Sequence, residues 1–453
     1  MKYKPKISLS TTQVILLSFF FTILLGSFLL ALPISAKDGV AIPYIDALFT
    51  ATTATCVTGL MTLPTVTTFS IFGQAVILLL IQIGGLGIIT VMAGFAVALH
   101  RKLGLKDSRL IGDAFNLGTL SDLGSFVKKV VIGTATVEAI GALFYMTVFI
   151  PDFGARGIWI SVFTSVSAFC NAGIDIIAEN SLCSYALHPV INIVTMLLII
   201  LGGVGYIVWW DVLRVFKNAK RQGFGCVKHL TLHTKIVLVS TATLILGGAA
   251  LILLFEYRNP LTIAHLSFFD KLQVSFFQSV TTRTAGFATV PQEHLTNASS
   301  ILCLLLMFIG GSPVGTAGGI KTVTIAILLA TAFSTIRNRN EVSLFHRDLS
   351  REVTQKAVAV ATMSSIILFC STLLLAATTE APALDVLYET VSATATVGLT
   401  RGLTSLLNSF GKIVVIATMY FGRVGPISLA IAFRSRKETT NNIKNPTEEV
   451  SVG

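Results

Sequence analysis

The chain alternates long apolar runs with short polar bursts rich in lysine and arginine. Among the runs that reach the roughly 20 apolar residues needed to cross a bilayer are Val14–Leu32, Ile191–Trp210, Ile236–Phe255 and Ala357–Ala377. The basic bursts are "MKYKPK" at the start, "HRKLGLKDSR" (100–109), "RVFKNAKRQGFGCVKH" (214–229), "RNRNEVSLFHRDLSREVTQK" (337–356) and "FRSRKETTNNIK" (433–444). Each adjoins an apolar run, so all five read as cytoplasmic flanks under the positive-inside rule. Every segment between two bursts must then leave the cytoplasm and return. Each holds a long apolar run, a shorter apolar stretch, a polar glycine turn and a second long run. A stretch of about 10–14 apolar residues suits a re-entrant half-helix better than a span. The first run is too long for the core of a cleaved signal peptide, and "LPISAKDG" leads from it into further membrane segments.

The glycine turn occurs four times, in "ATCVTGL", "AFCNAGI", "TTRTAGF" and "TATVGL". Its glycines, Gly59, Gly173, Gly286 and Gly398, stand 114, 113 and 112 residues apart. A second mark keeps phase with it: "QIGGLGI" (82–88), "ILGGVGY" (200–206), "FIGGSPVGTAGGI" (308–320) and "YFGRVGPI" (420–427). Two marks in register over four copies are the signature of an internal repeat. The expected fold is an all-α integral membrane protein of four span–pore helix–span repeats around a pseudo-fourfold central pore. It has 8 transmembrane helices and 4 re-entrant half-helices. The repeats are placed at 1–107, 108–225, 226–345 and 346–436, with a cytoplasmic tail at 437–453.

Irregular backbone at membrane depth survives only inside protein or along a water-filled cavity. Four glycine turns meeting on one axis satisfy that rule if they line a pore, where carbonyl oxygens replace the hydration shell of a cation. Glycine permits positive φ and close approach, and the C-terminal end of each half-helix brings partial negative charge. The quartets ending at each glycine form the candidate carbonyl ring: Cys56, Val57, Thr58, Gly59; Cys170, Asn171, Ala172, Gly173; Arg283, Thr284, Ala285, Gly286; and Ala395, Thr396, Val397, Gly398. The competing reading makes these glycines helix-packing devices.

Together, "TTRTAGFAT", "TATVGLT", "IGGLGIITV", "GGSPVGTAGGIKTVT" and "FGRVGPISL" resemble the Trk/Ktr/HKT superfamily of potassium transporters, most closely the membrane subunits of bacterial Ktr uptake systems. The resemblance covers nearly the whole chain. It implies that the four turn glycines are filter glycines and that Gly59 goes with potassium selectivity. One glycine per turn, rather than the two of a potassium-channel filter, implies fewer well-formed ion sites. The resemblance also implies an intramembrane gate loop at 309–320 that carries Gly310, Gly311, Ser312, Pro313, Gly315, Thr316, Gly318 and Gly319, working with Arg423 as an electrostatic barrier. The alternatives are a passive kink for the loop and an interhelix salt bridge for Arg423, since an arginine at mid-membrane usually faces a cavity or a partner. Arg283 is expected to be neutralised behind the filter, with Glu389 a candidate partner. Asp175 either draws cations to the outer mouth or is a solvated loop carboxylate.

Composition narrows the rest. Mean hydropathy is +0.80 and only 12% of residues are charged, which excludes an ordinary soluble protein. The net charge of +11 belongs to the flanking bursts, so no nucleic-acid partner is expected. Six cysteines make no C-x-x-C pair, and His229 with His233 lack a third ligand nearby, so no disulfide framework and no transition metal are expected. Lys321 does not complete a phosphate-loop pattern. No nucleophile–base set marks an enzyme. The reading is potassium uptake across the bacterial plasma membrane through a single-glycine filter, with potassium at the filter and no organic cofactor in this chain. The resemblance further implies sodium dependence, a homodimer, a cytosolic nucleotide-binding regulatory ring and contact with membrane lipid; both termini are cytoplasmic. The alternative is an alternating-access secondary carrier for another cation or solute.

Overall fold

The computed structural model describes residues 11–87, 90–91, 123–222, 228–339 and 341–425. The basic bursts at 1–6, 100–109 and 433–444, the tail at 437–453 and the boundaries at 107 and 225 lie outside the described residues.

One order of elements recurs four times: a long helix, a short helix, a glycine turn and another helix. The long helices are Thr11–Ala31, Leu123–Phe153, Leu232–Glu256 and Arg351–Ala376. Each is long and apolar enough to cross a membrane, yet only 17–39% of each apolar window is buried within the protein. The rest of that apolar surface is left outside the protein's own core.

The short helices are the reverse. Tyr44–Cys56, Arg156–Cys170, Phe268–Thr281 and Ala383–Ala395 run 13, 15, 14 and 13 residues. At about 1.5 Å per residue they fall short of the roughly 30 Å hydrocarbon core. They are buried chiefly over their C-terminal halves, toward the turns, and their sequences show why. Small and hydroxyl residues are frequent toward the C-terminal ends of the first, second and fourth, so neighbours approach closely, and the hydroxyls fold back on their own helix. Thr52 donates to the Leu48 carbonyl at 2.8 Å, Ser161 to Gly157 at 2.7 Å and Thr394 to Thr390 at 2.7 Å. Asp46, Asp270 and Asp385 occupy first turns, where the helix dipole favours a carboxylate.

The closing helices are Ile71–Leu86, Pro189–Val204, Asn297–Phe308 and Ser409–Val424. Here the reading of Ile191–Trp210 as one uninterrupted run is corrected. The run Ile191–Trp210 bends by 98° between Pro189–Val204 and the next helix, Tyr206–Gln222. The break is at Gly205, whose φ is +93°; Gly87 (+81°) and Gly425 (+89°) end the first and fourth closing helices in the same way. Only glycine adopts such a conformation without a Cβ penalty. In the third unit the break widens into residues 309–321, and the chain resumes as Thr322–Ile336.

Packing between units runs in one direction and closes. Ile71–Leu86 packs on the short helix Arg156–Cys170, Pro189–Val204 on Phe268–Thr281, Asn297–Phe308 on Ala383–Ala395, and Ser409–Val424 on Tyr44–Cys56. The last of these joins the end of the described chain to its beginning, and a Lys412–Asp46 ion pair of 2.5 Å spans the same seam. Away from this ring, a small antiparallel hairpin pairs Ser343–Leu344 with Arg347–Asp348.

Candidate functional site

The short helices end in nearly identical backbone. Val57, Asn171 and Thr396 are left-handed, and their amides donate to the Ala54, Ala168 and Ala393 carbonyls at 3.2 Å each. The next amides, Thr58, Ala172 and Val397, reach back to Thr53, Ser167 and Ser392 at 2.8 Å each. This is the Schellman closure, which normally places glycine at the left-handed position. Here β-branched side chains occupy it in two of the three, at a cost of roughly 1–2 kcal/mol each. The third turn reaches the same point differently: its helix runs on through right-handed Thr282, and Thr284 is the left-handed residue, φ +66°. Strain of this kind persists only where the surroundings overdetermine it.

Two residues later each turn glycine is again left-handed: φ is +99° at Gly59, +64° at Gly173, +82° at Gly286 and +97° at Gly398. These glycines touch one another in sequence around a ring. A Cβ on Gly59 would run into the Ala172 carbonyl oxygen; one on Gly173 would meet the Ala285 oxygen and lie 2.7 Å from the Gly286 Cα. One on Gly286 would lie 2.5 Å from the Val397 oxygen and 3.2 Å from the Gly398 Cα; one on Gly398 would strike the Thr58 oxygen. First meets second, second meets third, third meets fourth and fourth meets first. The Gly59 amide donates outward to Thr53 Oγ1 at 2.9 Å and the Gly398 amide to Ser392 Oγ at 3.0 Å. In a trans peptide the carbonyl opposes its N–H, so the Thr58 and Val397 oxygens turn away from the short helices, toward the ring. The sixteen quartet residues are therefore brought together, the glycines and the carbonyls before them innermost.

A cavity of about 370 Å³ touches all four turn glycines on one side and is also lined by Asp175, Glu179 and Glu293. On the other side a cavity of about 380 Å³ is lined by Gly84, Gly87, Ala317, Lys321 and Arg423 among others. Asp175 is half-buried. Burial raises its carboxyl to about 6 against the opposing hydrogen bond from the Ile177 amide, 3.3 Å away.

Arg283 lies behind the ring, but the expected pairing with Glu389 is corrected. Glu389 accepts instead from Thr400 at 2.7 Å and Thr404 at 2.6 Å. The ion pairs among the described residues do not include Arg283, whose Nε lacks a hydrogen-bond partner and whose side chain borders a small void with Thr241 and Gly311. The two hydroxyls next to Glu389 in the fold come from a loop eleven to fifteen residues on, which no helical spacing reveals.

The 309–321 segment sits under the ring. A Cβ on Gly318 would strike Thr396 Oγ1 and lie 2.8 Å from the Ala395 oxygen. Its backbone answers the break in the second unit. The amides of Ser312 and Thr316 donate to the Gly203 and Gly202 carbonyls at 2.8 and 3.1 Å, and the Tyr206 amide donates to the Val314 carbonyl at 3.0 Å. Two interrupted helices thus satisfy each other's orphaned groups, as membrane depth demands. Internally, Ser312 and Thr322 hydroxyls meet at 3.0 Å, and Gly310 donates to Ile320 at 3.0 Å. The Gly315 backbone packs against Gly202 and Gly205, and Pro313 packs against Gly205.

Arg423 reaches this segment from the fourth unit. Nη1 donates to the Thr316 carbonyl and Nη2 to the Gly84 carbonyl, each at 2.5 Å. Its charge is met by carbonyls freed at two breaks, and the ion pairs among the described residues do not include it. Asn171 was in the sequence quartet but its side chain does more than the quartet implied. Thr316 Oγ1 donates toward Asn171 Oδ1 (3.3 Å) and the Phe169 carbonyl (3.0 Å), while Asn171 Nδ2 donates to the Arg283 carbonyl at 3.4 Å. The signal was an amide in a quartet position that is otherwise β-branched.

Residues 4–444 match the TrkH family, described as a cation transport protein. The chain is 40% identical to the Ktr system potassium uptake protein B of Bacillus subtilis (strain 168), over 97% of this chain and 96% of that protein. It is 36% identical to the potassium/sodium uptake protein NtpJ of Enterococcus hirae, over 100% of this chain and 99% of that one. Its fold is similar to the crystal structure of the potassium transporter TrkH from Vibrio parahaemolyticus, with a TM-score of 0.72 and 19% identity over 96% of this chain and 87% of that one. A ring of four glycine turns between two cavities, in a protein matched along nearly its whole length, places this chain in the TrkH family of cation transport proteins.

Proposed function

We propose that this protein carries potassium inward through the ring formed by Gly59, Gly173, Gly286 and Gly398. The observation that carries the reading is the closure of that ring by backbone alone, with the carbonyls of Thr58, Ala172, Ala285 and Val397 set against the neighbouring glycines. Carbonyl oxygens without a fixed counter-charge suit a monovalent cation that sheds its water. The Gly310–Gly319 segment and Arg423 form the gate beneath it. The names of the relatives, potassium uptake and potassium/sodium uptake, support the choice of ion. Relatives named as members of a Ktr system also support assembly with a regulatory subunit. The fuller arrangement is a homodimer under a cytosolic nucleotide-binding ring, stimulated by sodium, with both termini cytoplasmic.

The test is cation flux into liposomes that hold this protein alone, with potassium, rubidium and sodium compared. Potassium and rubidium are expected to exceed sodium. Gly286→Ser, whose Cβ meets the Val397 oxygen, is expected to lose that preference. Flux no greater than in empty liposomes, or a preference that survives the serine, would remove the filter from these turns.

A further inference from the structure

Glu138 stands in the middle of the long helix Leu123–Phe153, the only charged residue between Val130 and Pro151. It is buried, at 8% exposure, and the ion pairs among the described residues do not include it. An ionisable side chain at membrane depth is costly and is retained where it has a partner or a task. Its partners are polar side chains on two other helices. Gln82, on Ile71–Leu86 of the first unit, donates from Nε2 to Glu138 Oε2 at 3.2 Å. The Cys170 thiol, at the end of the short helix Arg156–Cys170, lies 3.6 Å from Gln82 Oε1 and 3.8 Å from Glu138 Oε1. The three side chains close a small cycle across the seam between the first two units. A Cβ on Gly85 would lie 2.5 Å from Cys170 Sγ, so the backbone of the first unit presses on the same thiol.

The scaffold itself does not call for a carboxyl at this place. The Ser165 hydroxyl donates to the Glu138 carbonyl at 2.6 Å, and a Cβ on Gly141 would lie 2.5 Å from Ser165 Oγ. The third unit repeats this join. There the Ser279 hydroxyl donates to the Ile245 carbonyl at 2.9 Å, and a Cβ on Gly248 would strike Ser279 Oγ. In both units the glycine follows the contacted carbonyl by three residues. Ile245 is therefore the counterpart of Glu138, and an apolar side chain serves the join equally well. What the second unit gains from its carboxyl is a hold on Cys170. Cys170 opens the second quartet, Asn171 after it is left-handed, and the Ala172 carbonyl that follows is the one set against Gly59.

We propose that Glu138 is a positioning residue for the ring. Through Gln82 and Cys170 it fixes the second turn, and with it the Ala172 carbonyl, in the placement that prefers potassium over sodium. The inference rests on the potassium-pore reading above. Cation preference in a carbonyl filter depends on how many carbonyls reach the ion and how they are held. Glu138 serves as a hydrogen-bond hub rather than as a fixed charge: a glutamine in its place keeps the acceptor for Gln82 and adds a donor toward the Cys170 sulfur. Loss of one such bond moves a two-state ratio by roughly fivefold.

The experiment is the ratio of potassium to sodium influx into liposomes holding the full chain. Wild type is compared with Glu138→Ile, which copies the third unit, and with Gln82→Leu, Glu138→Gln and Thr134→Val. Glu138→Ile and Gln82→Leu are each expected to lower the ratio by roughly fivefold, and the two combined to lower it no further, because they cut one network. Glu138→Gln is expected to keep the wild-type ratio. Thr134→Val is expected to keep it too: its hydroxyl lies one turn earlier on the same helix and bonds to the Tyr206 hydroxyl at 3.4 Å, away from the turn. A wild-type ratio in monodisperse Glu138→Ile overturns the proposal. So does a loss in Glu138→Gln as large as in Glu138→Ile, which would assign the effect to charge, and so does an equal loss in Thr134→Val. Failure of both Glu138→Ile and Gln82→Leu to yield monodisperse protein overturns it as well, by reducing the cycle to a brace for the fold. If the wild type shows no preference for potassium, the pore reading itself fails. If it shows one and the variants keep it, only this inference fails.

Discussion

At single residues, the turns set geometry against intrinsic preference. Val57, Thr284 and Thr396 adopt left-handed backbone that costs a β-branched residue more than most. Asn171 fits there more easily and adds side-chain bonds to two other segments. The glycine two positions later has no such choice, since each would drive a Cβ into a neighbouring turn. Asp175, two residues past Gly173, carries a prediction of its own. Its carboxyl is raised to about 6 by burial, so it is charged above that pH and neutral below it. Inward flux at low potassium is therefore expected to fall as pH drops through about 6. Asp175→Asn is expected to lower the flux at neutral pH and to erase the step. A wild-type flux that stays flat from about pH 5 to 7 would show that the charge does not serve the outer cavity.

Among elements, the glycine clusters of the closing helices divide into two tasks. Gly84, Gly202 and Gly422 let the helix approach the end of its own unit's short helix. A Cβ on them would strike the carbonyl oxygens of Thr55, Phe169 and Thr394. Each of those carbonyls stands four residues before its turn glycine. Gly87, Gly205 and Gly425 then end the helix. In an ordinary helix interior, Gly→Ala gains roughly 0.5–1 kcal/mol. Gly247, inside Leu232–Glu256, has nothing within 4 Å of an added Cβ, so Gly247→Ala is expected to show that gain in thermal unfolding of the purified protein. Gly422→Ala is expected to reverse the sign and cost about 1–3 kcal/mol through overpacking. Equal effects at the two positions would mean that the Thr394 contact has no weight. The regular phase of these clusters was legible in the chain. Their division of labour was not, because the approach of Gly84 and the bend at Gly205 both look like a glycine in an apolar run.

Over the whole molecule, the decisive feature is closure. Each closing helix packs on the next unit's short helix, and Ser409–Val424 returns to Tyr44–Cys56. The Lys412–Asp46 pair crosses that seam with both side chains mostly buried, at 16% and 10% exposure. Lys412→Ala leaves the Asp46 carboxylate without its partner and is expected to cost about 3–5 kcal/mol. Asp46→Lys combined with Lys412→Asp is expected to recover part of it. If Lys412→Ala unfolds at the wild-type temperature, the seam is held by helix packing alone.

What the sequence determined by itself is whatever depends on local pattern. Apolar run length selects the bilayer as solvent for Thr11–Ala31, Leu232–Glu256 and Arg351–Ala376. Shorter apolar stretches mark the short helices, and four glycines in phase mark the turns. What only the tertiary structure decided depends on partners far along the chain. It showed that the turns touch as a ring, that Glu389 rests on Thr400 and Thr404 rather than Arg283, and that the break at Gly205 accepts the amides of Ser312 and Thr316. The reason is physical: a broken helix in a membrane must find donors and acceptors wherever the fold offers them, and nothing in the spacing of one segment says which other segment will supply them.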